Sequence, residues 1–247
     1  MEEIQTYGLL GKNISYSFSK KYFTQKFKDL KRNNYQYLNF DLQDINQLPK
    51  LLKKHKNLKG FNITIPYKKA ILPFLDSLSD EAKSIGAVNT VKIGNGKLIG
   101  YNTDVFGFEK SLLSVCEEKN GLALILGTGG ASMAVNYVLL KRGFKVVFVS
   151  RKPKNNSEIS YDALTEKLIE STKLIVNCTP LGTYPNTESA PDIPYQYLHK
   201  NQVLFDLVYN PSQTNFLSKG LEKGTLIKNG YDMLVFQAEK SWEIWHS

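Results

Sequence analysis

Two places in the chain combine residue types and spacing that chemistry could use. The first is LALILGTGGAS, Leu122 to Ser132, where Gly127 and Gly129 stand between an apolar run and a helix-forming segment. Strand, glycine-rich turn and helix form a phosphate cradle: the first glycine permits the tight turn and the second lets backbone approach a pyrophosphate. The helix N-terminus then presents N–H groups and a positive dipole end. Ser132 takes the third glycine position of G-x-G-x-x-G and is small enough to keep helix and strand close; Thr128, Gly130 and Ala131 complete the turn. The next apolar strand, KVVFVS, ends in Ser150 and Arg151, with Lys152 and Lys154 behind. An NAD site places an acid at that strand end to hold the ribose 2′-hydroxyl. A basic end without an acid suits a 2′-phosphate, which Arg151 can grip bidentately, so the expected cofactor is NADP, held by Ser150, Arg151 and Lys154.

The second place is GFNITIPYKKAILPFL, Gly60 to Leu75. Its adjacent lysines separate on a helical wheel. With Ile71, Phe74 and Leu75 as the buried stripe, Lys68 lies about 60° from Ile71 and Lys69 about 160° away, facing water. Pro66 suits the first helical position, which puts Lys68 in the first turn. A free lysine, with a pKa of about 10.4, is too basic for acid–base work near neutrality. A helix N-terminus and partial burial both lower that value.

The elements that must position these residues alternate. IQTYGLLG, YQYLNFDL and FNITI read as strands. SKKYFTQKFKDLKR, with Phe23, Phe27 and Leu30 at helical spacing, and INQLPKLLKKHKNL, with Ile45, Leu48 and Leu52, read as helices. GAVNTVKIGNGKLIGYNTD reads as a hairpin turning at Gly94-Asn95-Gly96, followed by a helix from near Asp104 with Val105, Phe108, Leu112 and Val115 inward. Beyond Gly121 the runs LALIL, KVVFVS, KLIVNC and VLFDLV are continuously apolar, the mark of a parallel sheet covered on both faces.

Composition narrows the function. The net charge of +9 favours anionic partners, but the lysines are spread along the chain without an aromatic-interleaved patch. A solvated basic surface with a small anionic ligand therefore fits better than nucleic acid. Cys116 and Cys178 lie far apart and the three histidines are scattered, which gives neither a disulfide framework nor a metal site. No run of about 18 apolar residues suggests a membrane span. The opening MEEIQTYGLLGK has no apolar signal core, so a cytoplasmic protein is expected.

Eight motifs, ISYSFS, NITIPYK, GAVNT, GYNTD, GTGGAS, NCTPLG, DLVYNPSQT and NGYDMLVFQ, occur from Ile14 to Gln237 in one order. That order resembles the shikimate dehydrogenases, NADP-dependent oxidoreductases that interconvert 3-dehydroshikimate and shikimate in aromatic amino-acid biosynthesis. The resemblance implies an α/β substrate domain with a mainly parallel sheet over 1–103 and a Rossmann-like NADP domain over 104–230. A C-terminal helix, 231–247, returns to the first domain; the two-domain reading implies a cleft between them, and its closure around the substrate is an expectation.

The same resemblance makes Lys68 the catalytic lysine, coupled to Asp104 so that the pair positions and shares the proton. It assigns Ser15 and Ser17 to the substrate carboxylate, Thr64 and Asn89 to its hydroxyls, and Tyr209 and Gln237 to the closing side of the pocket. Asn177, Thr179, Gly230 and Met233 fall on the cofactor side, with no metal required. From chemistry alone these residues read differently. Ser15 and Ser17 would cap a helix, Asp104 would be an N-cap, Asn89 would hold a turn, Tyr209 would turn a corner and Gln237 would sit exposed on a helix. The chain departs from many relatives in SRK at 150–152, which keeps Arg151, and in Thr183 where methionine is common. Quinate or NAD as alternative substrates, a non-catalytic NADP-binding regulator, and a monomer or homodimer all stay open.

Overall fold

The computed structural model describes residues 3–14 and 17–247. The chain divides into two compact units, Met1–Thr103 with Ala238–Ser247, and Asp104–Gln237.

The first unit begins with strand β1 (Gln5–Gly11), helix α1 (Phe18–Asp29) and strand β2 (Tyr35–Asp41). The Ser17 hydroxyl caps α1 by accepting from the Lys20 N–H at 3.1 Å, and Phe23 and Phe27 are buried. Leu30, expected on that stripe, is instead the exposed C-cap, because the helix ends one residue before it. Helix α2 (Leu48–Lys54), entered through a 3₁₀ turn over Ile45–Gln47, leads to β3 (Leu58–Ile63). A single helical turn, α3 (Tyr67–Ala70), follows, then β4 (Ser77–Leu78) and α4 (Asp80–Ile85). The hairpin β5 (Thr90–Gly94) and β6 (Lys97–Tyr101) closes the unit. Its turn has both central residues at positive φ, Asn95 at 52° and Gly96 at 74°, the two-residue geometry that matches strand twist.

The sheet order is β2-β1-β3-β5-β6-β4. β1 pairs parallel with β2 and β3, and β4 with β6, whereas β3–β5 and β5–β6 are antiparallel, so the sheet is mixed. One core gathers Leu10, Phe61, Ile63 and Ile71; the other is aromatic, with Tyr7, Phe23, Phe27 and Tyr37 around Trp245 of the last helix.

The second unit runs α5 (Asp104–Leu112), β7 (Gly121–Leu126), α6 (Gly130–Lys141), β8 (Phe144–Val149) and β9 (Glu158–Ile159). It continues with α7 (Glu166–Ser171), β10 (Thr172–Asn177), β11 (Val203–Asp206), α8 (Asn215–Glu222) and β12 (Leu226–Lys228). The last helix, α9 (Tyr231–His246), starts in this unit and ends in the first. The sheet order is β12-β11-β10-β7-β8-β9 and every pairing is parallel. This is the Rossmann-like sheet that the continuous apolar runs imply, with Leu124, Leu126, Ile175 and Leu204 fully buried. Among the described residues no helix is long and apolar enough to cross a membrane.

Candidate active site

In the first unit the candidate residues converge on the C-terminal end of β3. Thr64 follows directly; its N–H donates to the Leu10 carbonyl, and its own carbonyl accepts from Tyr67 at 2.9 Å. The neighbouring strand makes room here. A Cβ on Gly11 would fall 2.5 Å from the Thr64 methyl, so only glycine lets β1 pass this close. Lys68 sits in α3, half-buried, and Lys69 is exposed.

The frame around Lys68 differs from the expected one. Pro66 is the N-cap, after a cis Ile65–Pro66 bond, and α3 is one turn long before the chain passes into a 3₁₀ turn. Four residues carry few aligned peptide dipoles, so the macrodipole contributes little at Lys68. Anchoring does the positioning instead. Tyr67 is buried, its hydroxyl donates to the Leu42 carbonyl at 2.7 Å, Ile71 is fully buried, and the Lys68 carbonyl accepts from the Val88 N–H at 2.8 Å.

Asn89 comes next to this lysine through the same backbone, since its carbonyl accepts from Ile63 N–H. Its side chain is oriented by Thr103: the amide oxygen accepts from the Thr103 N–H at 2.7 Å, and the NH₂ donates to the Thr103 hydroxyl at 3.0 Å. A buried polar network surrounds it. Tyr37 donates to Asn62, whose NH₂ reaches Thr90 and Ser241, and Ser241 also meets Thr90 and Thr103. Asn62 thus serves the interior, and Ser241 ties α9 to the strands behind Asn89. Ser17 caps α1 through its oxygen, which leaves its hydroxyl hydrogen able to donate to a carboxylate. Ser15 lies outside the described residues.

In the second unit the glycine turn has the form a dinucleotide requires. Gly127 holds φ at +98°, and its N–H donates to the Val149 carbonyl at 2.8 Å. Gly129 is the N-cap of α6 with φ −77°, and no side chain of the described residues caps this helix. A Cβ on Gly129 would meet no heavy atom of the described residues within 4 Å, so what its absence clears is space outside the protein. Ser132 is fully buried and turns its hydroxyl back to the Gly129 carbonyl at 2.7 Å. Thr128 is exposed, and Gly130 and Ala131 are half-buried at the helix start. Leu126 and Val149 are register partners, so the glycine turn and Ser150–Arg151 leave the sheet side by side. Arg151 and Lys154 are exposed, and no acid follows Val149 until Glu158. The uncapped helix, the cleared space and the basic strand end fit a dinucleotide bearing a 2′-phosphate.

The remaining candidates gather at the ends of β10 and β11. The Asn177 side chain is engaged within the protein: its oxygen accepts from the Thr179 N–H at 3.0 Å and hydroxyl at 2.6 Å, and its NH₂ donates to Asp206 at 2.9 Å. What Asn177 offers a ligand is therefore the placement of Thr179, whose methyl lies beside Gly127. Tyr209 is half-buried, and burial pushes its hydroxyl above the ordinary value, so it stays protonated at neutral pH. Gly230 packs flat on Leu207, where a Cβ would fall 2.2 Å from the Leu207 carbonyl oxygen.

Gly107 does the same for α5. A Cβ there would fall 2.5 Å from the Met233 carbonyl oxygen, so α5 lies directly on the first turns of α9. That contact sets Met233 and Gln237 against the helix that Asp104 opens, and all three residues are buried. Asp104 is the first helical residue of α5 rather than the residue before it. Burial also pushes the Cys178 thiol well up, which keeps it unreactive. Among the described residues no cluster of His, Cys, Asp and Glu could hold a metal.

A Methanococcus maripaludis shikimate dehydrogenase (NADP⁺) is 41% identical over 96% of this chain and 90% of its own length. The chain belongs to the shikimate dehydrogenase (NADP⁺) family. The family described as the shikimate dehydrogenase substrate binding domain matches residues 9–91. Among solved structures, the Thermus thermophilus shikimate 5-dehydrogenase in complex with NADP(H) and shikimate superposes with a TM-score of 0.86 at 30% identity, covering 98% of this chain and 93% of that one. A Corynebacterium glutamicum quinate dehydrogenase in complex with NAD reaches 0.87 at 26% identity, over 99% and 94%. Membership makes the chain an oxidoreductase and accounts for the motif order from Ile14 to Gln237.

Proposed function

We propose that this enzyme interconverts 3-dehydroshikimate and shikimate, with NADP(H) as the redox partner. The observation that carries the reading is the 41% identity to an NADP⁺-dependent shikimate dehydrogenase, sustained over 96% of the chain. The acid-free, basic strand end at Arg151 supports the choice of cofactor.

When bound, NADP⁺ supplies the acceptor for the hydride that leaves the carbinol carbon. The chain's own residues supply the rest. Lys68 is assigned the hydroxyl proton, removing it during oxidation and returning it to the forming alkoxide during reduction. Asp104 is assigned as its partner, so that the proton is shared by a coupled pair rather than held by a lysine alone. Anchoring of Lys68 on both flanks supports this role, because proton transfer needs a fixed donor–acceptor distance. Ser15 and Ser17 are assigned to the substrate carboxylate, Thr64 and Asn89 to its hydroxyls, and Tyr209 and Gln237 to the closing side of the pocket. For the cofactor, Gly127 to Ala131 would receive the pyrophosphate, Ser150, Arg151 and Lys154 the 2′-phosphate, and Thr179, Gly230 and Met233 the nicotinamide end.

The test follows NADPH absorbance for shikimate or quinate combined with NADP⁺ or NAD⁺. Fastest turnover of shikimate with NADP⁺ is expected. Preference for quinate or NAD⁺ would reassign the substrate or cofactor, and no turnover in any combination would make the chain a non-catalytic binder.

A further inference from the structure

Asp206 ends β11 as a fully buried carboxylate, directly across from Asn177 at the end of β10. Three donors from three segments converge on it. The Asn177 NH₂ reaches Oδ1 at 2.9 Å, the Val208 N–H reaches Oδ1 at 3.0 Å, and the Thr214 hydroxyl reaches Oδ2 at 2.6 Å. Each contact continues outward. Asn177 accepts both the N–H and the hydroxyl of Thr179, whose oxygen in turn accepts from Leu181 N–H. The Val208 carbonyl accepts from Gly230 N–H at 3.0 Å, which joins the turn after β11 to the start of α9. Thr214 is the N-cap of α8.

We propose that Asp206 is a positioning residue of the reaction, holding the loop after β10 and the turn after β11 in the arrangement that receives the nicotinamide half of the cofactor. A carboxylate suits the junction because it accepts from all three donors, whereas an alanine would leave the Asn177 NH₂, the Val208 N–H and the Thr214 hydroxyl without this acceptor. Among the described residues no cation pairs with it, and burial raises its pKa to about 6 despite the three donors. An uncompensated buried charge costs stability, so what it secures is geometry. Its place at the C-terminal ends of adjacent parallel strands is where open α/β sheets receive ligands.

This inference rests on the proposed function, and the experiment separates the two. Wild type, Asp206→Ala, Asn177→Ala and Thr214→Val are assayed with shikimate and NADP⁺. Calorimetry then measures binding of NADP⁺ and of adenosine 2′,5′-bisphosphate, which carries the 2′-phosphate end without nicotinamide. In Asp206→Ala and Asn177→Ala, kcat is expected to fall about tenfold or more. Their Kd for NADP⁺ should rise about fivefold, with the fragment's Kd unchanged within about twofold. Thr214→Val, which cuts only the α8 branch, should keep kcat within about twofold of wild type.

If Asp206→Ala does not fold, Asn177→Ala decides, since it cuts the link to Thr179 and leaves the carboxylate in place. Wild-type kcat in Asn177→Ala, equal loss of fragment and whole-cofactor affinity, or a fall in Thr214→Val as deep as in Asp206→Ala would overturn the inference alone. Absent wild-type turnover would overturn the function and this inference with it.

Discussion

Gly129→Ala separates binding from stability, because the two glycines of the turn have opposite surroundings. At Gly129 the backbone is ordinary, φ −77°, and a new Cβ meets no heavy atom of the described residues within 4 Å. Alanine is a poorer N-cap than glycine by about 0.5–1 kcal/mol. Alanine also removes about 0.4–1 kcal/mol of unfolded-state entropy, which offsets that loss. The melting midpoint should therefore stay within about 3 °C of wild type. The methyl, however, stands where a pyrophosphate must approach the N–H groups of α6. Losing one charge-assisted hydrogen bond of about 1.5–3 kcal/mol weakens NADP⁺ binding about 10- to 100-fold. Gly127→Ala is the contrast. Its φ of +98° and a 3.1 Å approach to the Thr179 methyl strain the fold itself. That strain should cost about 1–3 kcal/mol and lower the midpoint by several degrees. Thermal melts and calorimetric titration with NADP⁺ read both effects. A Gly129→Ala enzyme that binds NADP⁺ as tightly as wild type would refute the phosphate-cradle reading.

Three further outcomes follow. Arg151→Ala should reduce kcat/KM with NADP⁺ by about tenfold or more and leave NAD⁺ nearly unchanged, since only the 2′-phosphate loses its partner; initial rates with both cofactors check this. Asp104→Asn keeps the side-chain shape but removes the charge, and should lower kcat by about 10²-fold, read from NADPH formation at saturating shikimate. The third concerns pH. Asp206 has a folded pKa of about 6 against an ordinary 3.8, so the native state binds more protons than the unfolded state between these values. Its stabilising contribution is full below pH 3.8 and is lost as pH rises through 6. Over roughly two pH units this amounts to about 3 kcal/mol. Urea unfolding at pH 4 and pH 7, which spans most of that change, should show wild type losing about 2 kcal/mol more stability across the interval than Asp206→Asn.

The sequence was most readable where one physical rule acted alone. Continuous apolar runs exposed the parallel strands of the second unit, and Asn95-Gly96 exposed the hairpin, because both signals are local. Lys68 and Lys69 separated by burial even though the helix beneath them proved a single turn. That difference arises because the chain passes into a 3₁₀ turn at Leu72–Phe74, with Pro73 inside it, which a wheel drawn from Pro66 to Leu75 does not register. The strand β12, three residues with an exposed leucine, carries no pattern to find. Asp206 left one legible signal, an acid inside the apolar run VLFDLV, but its partners Asn177 and Thr214 come from distant positions that only the folded sheet assembles. Gly11 and Gly107 were equally silent, since their use lies in what a Cβ would strike.

The most direct test of the account compares Lys68→Ala with Lys69→Ala, following NADPH formation from shikimate and NADP⁺. Lys68→Ala should lose about 10²-fold or more in kcat with KM for shikimate within about threefold, while Lys69→Ala stays within about twofold of wild type on both. A Lys68→Ala enzyme that turns over at the wild-type rate would contradict the assignment of the proton to this lysine.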